Sequence, residues 1–236
     1  MRRSIFLLLL PGLLLPTVYA APEPSRFTAH YTMSKGNVSI GEVQRLLTPA
    51  GNGQFKFAST MQATGLIAAF VKDQISENSL WTFENEQVKP QIYTYRKSGG
   101  KKPREIRLEF DWQHQLVKNT VAGKEWEMAL LPDAQDKLSY QLAIMYDLQN
   151  GKTEFEYSIA DKRKFKNYYF KVVGNEDIAT PLGSLQTVKI ERVMEKGEKS
   201  TVLWCAPSLG FLPVRIEQNE KGGDEFSLMI KSVEGL

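Results

Sequence analysis

Acid–base chemistry in this sequence would have to start from His30 and His114, its two histidines. His114 lies in Asp111-Trp112-Gln113-His114-Gln115, which reads as a turn on a wet surface. His30 alternates with Ala29 and Tyr31 and so points to the polar face of a strand. Neither sits at a spacing that binds metal or activates a nucleophile, so both read as solvated surface histidines. Asp111 and Asp136 offer a second chemistry, the carboxylate pair of a hydrolase, but nothing in their linear order brings them together. Cys205 is the one cysteine, which excludes an intrachain disulfide and a multi-cysteine metal site. As a nucleophile it would need exposure and a neighbouring base; between Trp204 and Ala206 it reads as a small buried hydrophobe. There is no nucleophile elbow, phosphate loop or metal-spaced cluster, and no cofactor or metal is expected.

Charges that share a phase with apolar residues carry more information. Glu77 alternates with Ile75 and Trp81, Arg192 with Val188, Ile190 and Met194, and Arg96 with Ile92. If those phases hold, the charges point inward, where they are costly unless paired or wet. A β-bulge that slips the phase, or a charge at a strand end, gives the same pattern without a site. On the inward reading, Phe55, Phe57, Leu108, Phe110, Leu142 and Met145 line an apolar groove. Arg96 or Arg192 then meets a phosphate or carboxylate at its rim.

The elements that must hold these residues are mostly strands. In 104–112, Ile106, Leu108, Phe110 and Trp112 share one face, while Glu105, Arg107, Glu109 and Asp111 share the other. The same period of two runs through 54–64, through Phe155, Tyr157 and Ile159, and through Tyr168, Phe170 and Val172. It returns at Val188 and Ile190 and at Phe226, Leu228 and Ile230. Weaker strands read at 27–33, 37–48, 71–83, 88–98, 115–121, 199–205 and 213–220. Gly-rich turns separate them, among them 49–53, 98–101, 122–124, 195–198 and 221–224, and such turns make hairpins.

Only 133–149 carries a helical period, through Leu138, Leu142, Met145 and Leu148. Asp133 or a neighbour is placed to cap it, and Gly151 to end it. The apolar stretch 65–71 has no clear period and reads as a half-turn, a helix of two turns or a wide hairpin lip. The expected fold is all-β and mainly antiparallel: a large curved sheet or open β-barrel of about a dozen strands, with one amphipathic helix at its mouth. A two-sheet sandwich with the helix outside fits the same pattern.

The first twenty residues stand apart. Arg2 and Arg3, an apolar run over 5–15 and Val18-Tyr19-Ala20 have the layout of a secretory signal peptide, leaving 21–236 as a single domain. That run is too short to span a bilayer, and no later segment is apolar enough, so no membrane span is expected. With 30 basic and 27 acidic residues the chain lacks the surplus a nucleic-acid binder needs.

The later half carries Gln135-Asp136-Lys137-Leu138-Ser139, Thr180-Pro181-Leu182-Gly183, Trp204-Cys205-Ala206-Pro207 and Leu212-Pro213-Val214-Arg215-Ile216. The first half adds Ile40-Gly41-Glu42 and Phe110-Asp111-Trp112. In that order, over most of the chain after residue 20, these strings resemble the exported bacterial family called domain of unknown function 3108. The resemblance implies an envelope location and a β-rich fold, and supplies no catalytic residues. A curved sheet with a helix at its mouth is also similar to the periplasmic lipoprotein-carrier and outer-membrane lipoprotein-receptor folds. That is an analogy of fold, which does not fix function.

The expected role is therefore a non-enzymatic periplasmic binding or chaperone-like protein of cell-envelope biogenesis. Its partner would be a lipid, an acylated protein or a hydrophobic peptide. An adaptor that docks another envelope protein, and a glycan or peptide hydrolase, are the alternatives. Export gives a direct test: N-terminal sequencing of the protein from the periplasm should begin at Ala21, and a chain still beginning at Met1 contradicts the signal reading.

Overall fold

Alternating residues bury one face only if neighbouring strands carry the same pattern, and short turns put such neighbours side by side. The computed structural model describes residues 24–100, 102–193, 200–219 and 225–236, so the expected signal segment 1–20, the turns expected at 195–198 and 221–224, and Met194 lie outside the described residues. The described strands form one fifteen-stranded sheet. In chain order they are β1 (Phe27–Lys35), β2 (Val38–Gly51), β3 (Gln54–Ala63), β4 (Gln74–Glu84), β5 (Gln87–Ser98), β6 (Arg104–Asp111), β7 (Leu116–Val121) and β8 (Lys124–Ala129). Then follow β9 (Ala134–Gln135), β10 (Glu154–Asp161), β11 (Lys164–Thr180), β12 (Gly183–Val193), β13 (Ser200–Ala206), β14 (Leu212–Asn219) and β15 (Glu225–Glu234). The helix α1 (Ser139–Gln149) joins β9 to β10, and 3-10 turns follow β3 at Gly65–Ala69 and β13 at Pro207–Leu209.

The sheet runs from β8 back to β1, crosses to β15, and runs back again to β9. All pairings are antiparallel except β9 with β10. The first and last strands are thus partners in mid-sheet, and the free edges are β8 and β9. Twist rolls the sheet until Gln135 of β9 donates from Nε2 to the Val88 carbonyl of β5 at 2.7 Å. The twelve strands from β5 round to β9 make a barrel-like ring closed at that point by a side chain rather than a ladder, and β6, β7 and β8 continue past the seam. β8 and β9 are the strands that the alternation did not signal.

A ring that wide cannot be filled by its own strands. α1 fills one end. Tyr140 packs against both Tyr168 and Phe170, Tyr146 packs edge-on to Phe83, and Gln149 Nε2 donates to Gly210 O. The helix was expected to be amphipathic, from Leu138, Leu142, Met145 and Leu148. Instead Ser139, Tyr140, Gln141, Ala143 and Ile144 are buried as well, so no wet face separates from a dry one. It also starts later than expected. Asp133 is taken by β10, accepting from Ser158 N at 3.0 Å. Asp136 serves the helix start, its Oδ1 accepting from Leu138 N and Ser139 N, both at 2.7 Å. At the far end Gly151 has φ +73°, and Gly151 N and Lys152 N bond back to Leu148 O and Asp147 O, which satisfies the last carbonyls.

Arg96 requires a correction. In the β4–β5 ladder Leu80 faces Ile92 but Trp81 faces Pro90, so Gln91 is an extra residue. This bulge moves the inward phase from Val88 and Pro90 to Tyr93 and Tyr95. Ile92 and Arg96 turn outward, and Arg96 is an exposed residue 3.2 Å from Glu105 across the outer face.

Because α1 is core on all sides, truncating it should cost as much as a core deletion. Ile144 is fully buried. Ile144→Ala should lower unfolding free energy by about 2–5 kcal/mol in chemical denaturation; a loss under about 0.5 kcal/mol would show that the helix is not packed as described.

Candidate functional site

Register sets the inward side chains in rows across the sheet. One row is Phe27, Leu47, Phe57, Ser79, Tyr93 and Leu108. The next, a step further from the helix, is Ala29, Arg45, Ser59, Glu77, Tyr95 and Ile106. Beyond it lie Tyr31, Val43, Met61 and Ile75. The interior is therefore layered: an aromatic and aliphatic floor on α1, a belt containing charges, and an apolar collar toward the 65–71 lip.

The sequence-derived residues fall as follows. Phe55, Phe57, Leu108, Phe110, Leu142 and Met145 are all buried, and they belong to the floor and its surroundings. Arg192 points inward as its phase implies, with its guanidinium 3.6 Å from the centre of the Tyr168 ring. Glu77 also points inward and accepts a short hydrogen bond from the Tyr93 hydroxyl. Burial pushes the Glu77 carboxyl up, against the pull of that bond and of Arg45 and Lys137, and pushes the Tyr93 phenol up as well. Arg96 is outside and takes no part. Asp111 and Asp136 do not meet: Asp111 is half-exposed and paired with His114 Nδ1 at 2.8 Å, whereas Asp136 is fully buried. That local His–Asp pair is a turn device, since Asp111 also accepts from His114 N at 2.8 Å. Cys205 is buried, and burial pushes its thiol well up, away from the reactive thiolate. Among the described residues no cluster of His, Cys, Asp and Glu could hold a metal ion.

Arg45 is the belt residue that the sequence reading missed. It alternates with Val43 and Leu47, the same signal that singled out Arg192. It is 6% exposed, and its guanidinium lies 5.1 Å from the Tyr31 ring centre.

The seam opens beside this belt. Where β10 ends, it faces β6 across a cavity of about 190 Å³. Glu77, Tyr93, Tyr95, Arg104, Ile106 and Leu108 line one wall; Lys137, Ala160, Asp161 and Lys162 line the other. Burial alone would push the Asp161 carboxyl up, but Lys137 and Lys166, each 2.7 Å away, hold it down at about 2. Below the cavity, Ser79 donates to Asp136 Oδ2 at 2.6 Å, and Ser139 Oγ donates to Gln135 Oε1 at 2.8 Å. These bonds tie β4, the helix start and the β9 edge together.

The family model described as "Protein of unknown function (DUF3108)" matches residues 26–231. The chain belongs to the DUF3108 family. No curated protein matches it. Among solved structures, this DUF3108 chain is similar to a β-barrel-like protein of the domain of unknown function DUF1849 from Brucella abortus. The two are 7% identical with a TM-score of 0.56, over 89% of this chain and 97% of that one. The likeness extends to the fold alone. Among the described residues of the DUF3108 protein, no helix is long and apolar enough to cross a membrane.

Asp136 gives the site a pH signature. Burial pushes its carboxyl up to about 6, against the hydrogen bonds from Ser79, Ser139 and Leu138. The folded state therefore keeps the proton between about pH 4 and pH 6, where the unfolded chain has lost it. The stability tied to that retained proton is complete below about pH 4 and is lost as pH rises through 6, a change of roughly 3 kcal/mol. Denaturation midpoints of wild type and Asp136→Asn, compared from pH 4 to 7.5, should diverge by that slope; parallel curves would exclude it.

Proposed function

We propose that this DUF3108 protein is an exported, non-enzymatic binding protein that takes the apolar part of an amphiphile into the lip end of its barrel. The observation that carries the reading is a gradient of burial along the inward face. Next to α1 the inward residues Phe57, Trp81 and Tyr93 are fully buried. Toward the lip Met33, Met61, Ile75 and Leu228 remain partly exposed although they point inward. Flexible methionines suit a surface that must adapt to an acyl chain. Leu66 and Phe70 stand almost fully exposed on the adjoining lip, 87% and 88%. Burying such surface in a ligand is favourable by about 25 cal/mol per Å². The layout of residues 1–20 supports a periplasmic location, where the ligand would be a lipid, an acylated protein or a hydrophobic peptide. The hydrolase alternative loses its candidate pair, because Asp111 and Asp136 are on opposite sides of the solvent boundary.

The neutral dye N-phenyl-1-naphthylamine provides a test that does not depend on knowing the ligand. Its fluorescence should rise saturably on titration with native protein, and Met61→Glu should weaken binding about tenfold or more by charging the collar. Absence of saturable binding, or identical binding by Met61→Glu, would overturn the reading.

A further inference from the structure

Arg45 is a buried cation without a counter-ion. It sits in the middle of β2 at 6% exposure, and its Nε has no hydrogen-bond partner. No carboxylate of the described residues forms an ion pair with it. A guanidinium placed so is costly, and proteins normally pair it with a carboxylate. The inward carboxyl of Glu77 lies two strands away across Ser59, about 10 Å between strand axes at ordinary spacing, and Arg45 acts on it through space without an ion pair. That carboxyl is engaged by Tyr93. The hydroxyl of Tyr31, whose ring the guanidinium faces, donates to Pro213 O at 3.0 Å and offers Arg45 only a neutral oxygen, which does not balance its charge.

Further hydroxyl donors stand near Arg45, and the Glu77 carboxyl beyond them is taken by Tyr93. Ser59 is short and buried, and its hydroxyl bonds to no described residue. The Tyr140 hydroxyl, rising from the first turn of α1, is also without a described partner. It lies within electrostatic reach of Arg45, Glu77 and Arg192. A region rich in positive charge and donors, in a low-dielectric interior, is arranged for an oxyanion.

We infer that Arg45, with Ser59 and Tyr140, holds the anionic head of the amphiphile, a carboxylate or a phosphate, while its chain lies in the collar of Met33, Met61, Ile75 and Leu228. The head-group assignment rests on the binding role proposed above and extends it by naming the ligand's charge. Displacement of N-phenyl-1-naphthylamine by dodecanoate, dodecyl phosphate and dodecanol separates the two. At least one anion should displace the dye at a concentration about tenfold or more below that of the alcohol, and the better anion names the head group. Arg45→Gln should weaken that anion about 10- to 100-fold and remove its advantage over the alcohol. Tyr140→Phe, which keeps the ring packing and removes one donor, should weaken it roughly 3- to 10-fold and serves if Arg45→Gln does not fold. Dodecanol as effective as both anions would overturn the head-group assignment alone, as would an anion preference that survives both substitutions. Failure of the dye itself to bind would overturn the binding role and this assignment with it.

Discussion

One buried carboxylate holds together parts that no backbone ladder joins. Asp136 accepts from Ser79 on β4 and from the two amides that open α1, while Ser139 hands on to Gln135, and Gln135 to Val88 on β5. The sheet is long enough to roll, but its edges β8 and β9 do not pair with each other. Side chains must therefore do at the seam what amide and carbonyl groups do elsewhere. Breaking a network of this kind leaves several buried groups unsatisfied at once, so its members stand or fall together. The helix position, the ring size and the mouth of the seam cavity all follow from that joint.

The interior is best understood as three layers with different dielectric surroundings. The floor on α1 is dry and aromatic, with Phe55 stacked on Trp81 at 5.0 Å and Tyr140 on Phe170 at 5.9 Å. It supplies the packing that lets the next layer hold charges. Arg45 and Glu77 would be ruinous in the floor and unremarked at the surface; in between they keep electrostatic strength next to a wetter layer. The apolar collar beyond them is wetter, and its side chains are the adaptable kind.

Much of the architecture was legible because a strand with one wet face writes its period into the sequence. Ile106, Leu108 and Phe110 are buried as their alternation requires, and the turn at Thr180-Pro181-Leu182-Gly183 forms, with Thr180 Oγ1 accepting from Leu182 N at 3.0 Å. What stayed hidden has identifiable causes. Gln91 is one inserted residue that reverses every orientation after it, and nothing in its type marks it as a bulge. β9 is two residues long and has no period to detect. The depth of α1 was invisible because Tyr140, Ala143 and Ile144 are neutral to any face until tertiary packing chooses one. Of the site, Glu77 and Arg192 were legible by phase; Arg45 carried the same signal and was masked by its position in a long strand with polar neighbours Gln44 and Glu42 on the other face.

Joining Thr28 to Glu234 puts the first and last described strands at the centre of the sheet. Two meanders, β1 to β8 and β10 to β15, can each form from contacts between sequence neighbours. Only the β1–β15 ladder and the seam are non-local, and both depend on segments far apart in the chain. Loop closure on that scale is slow, and until it occurs each half presents an unpaired edge with an apolar face behind it. A newly made chain must therefore be kept from its neighbours until its last strand arrives, which makes the waiting time, rather than the finished barrel, the point at which this architecture is most open to aggregation.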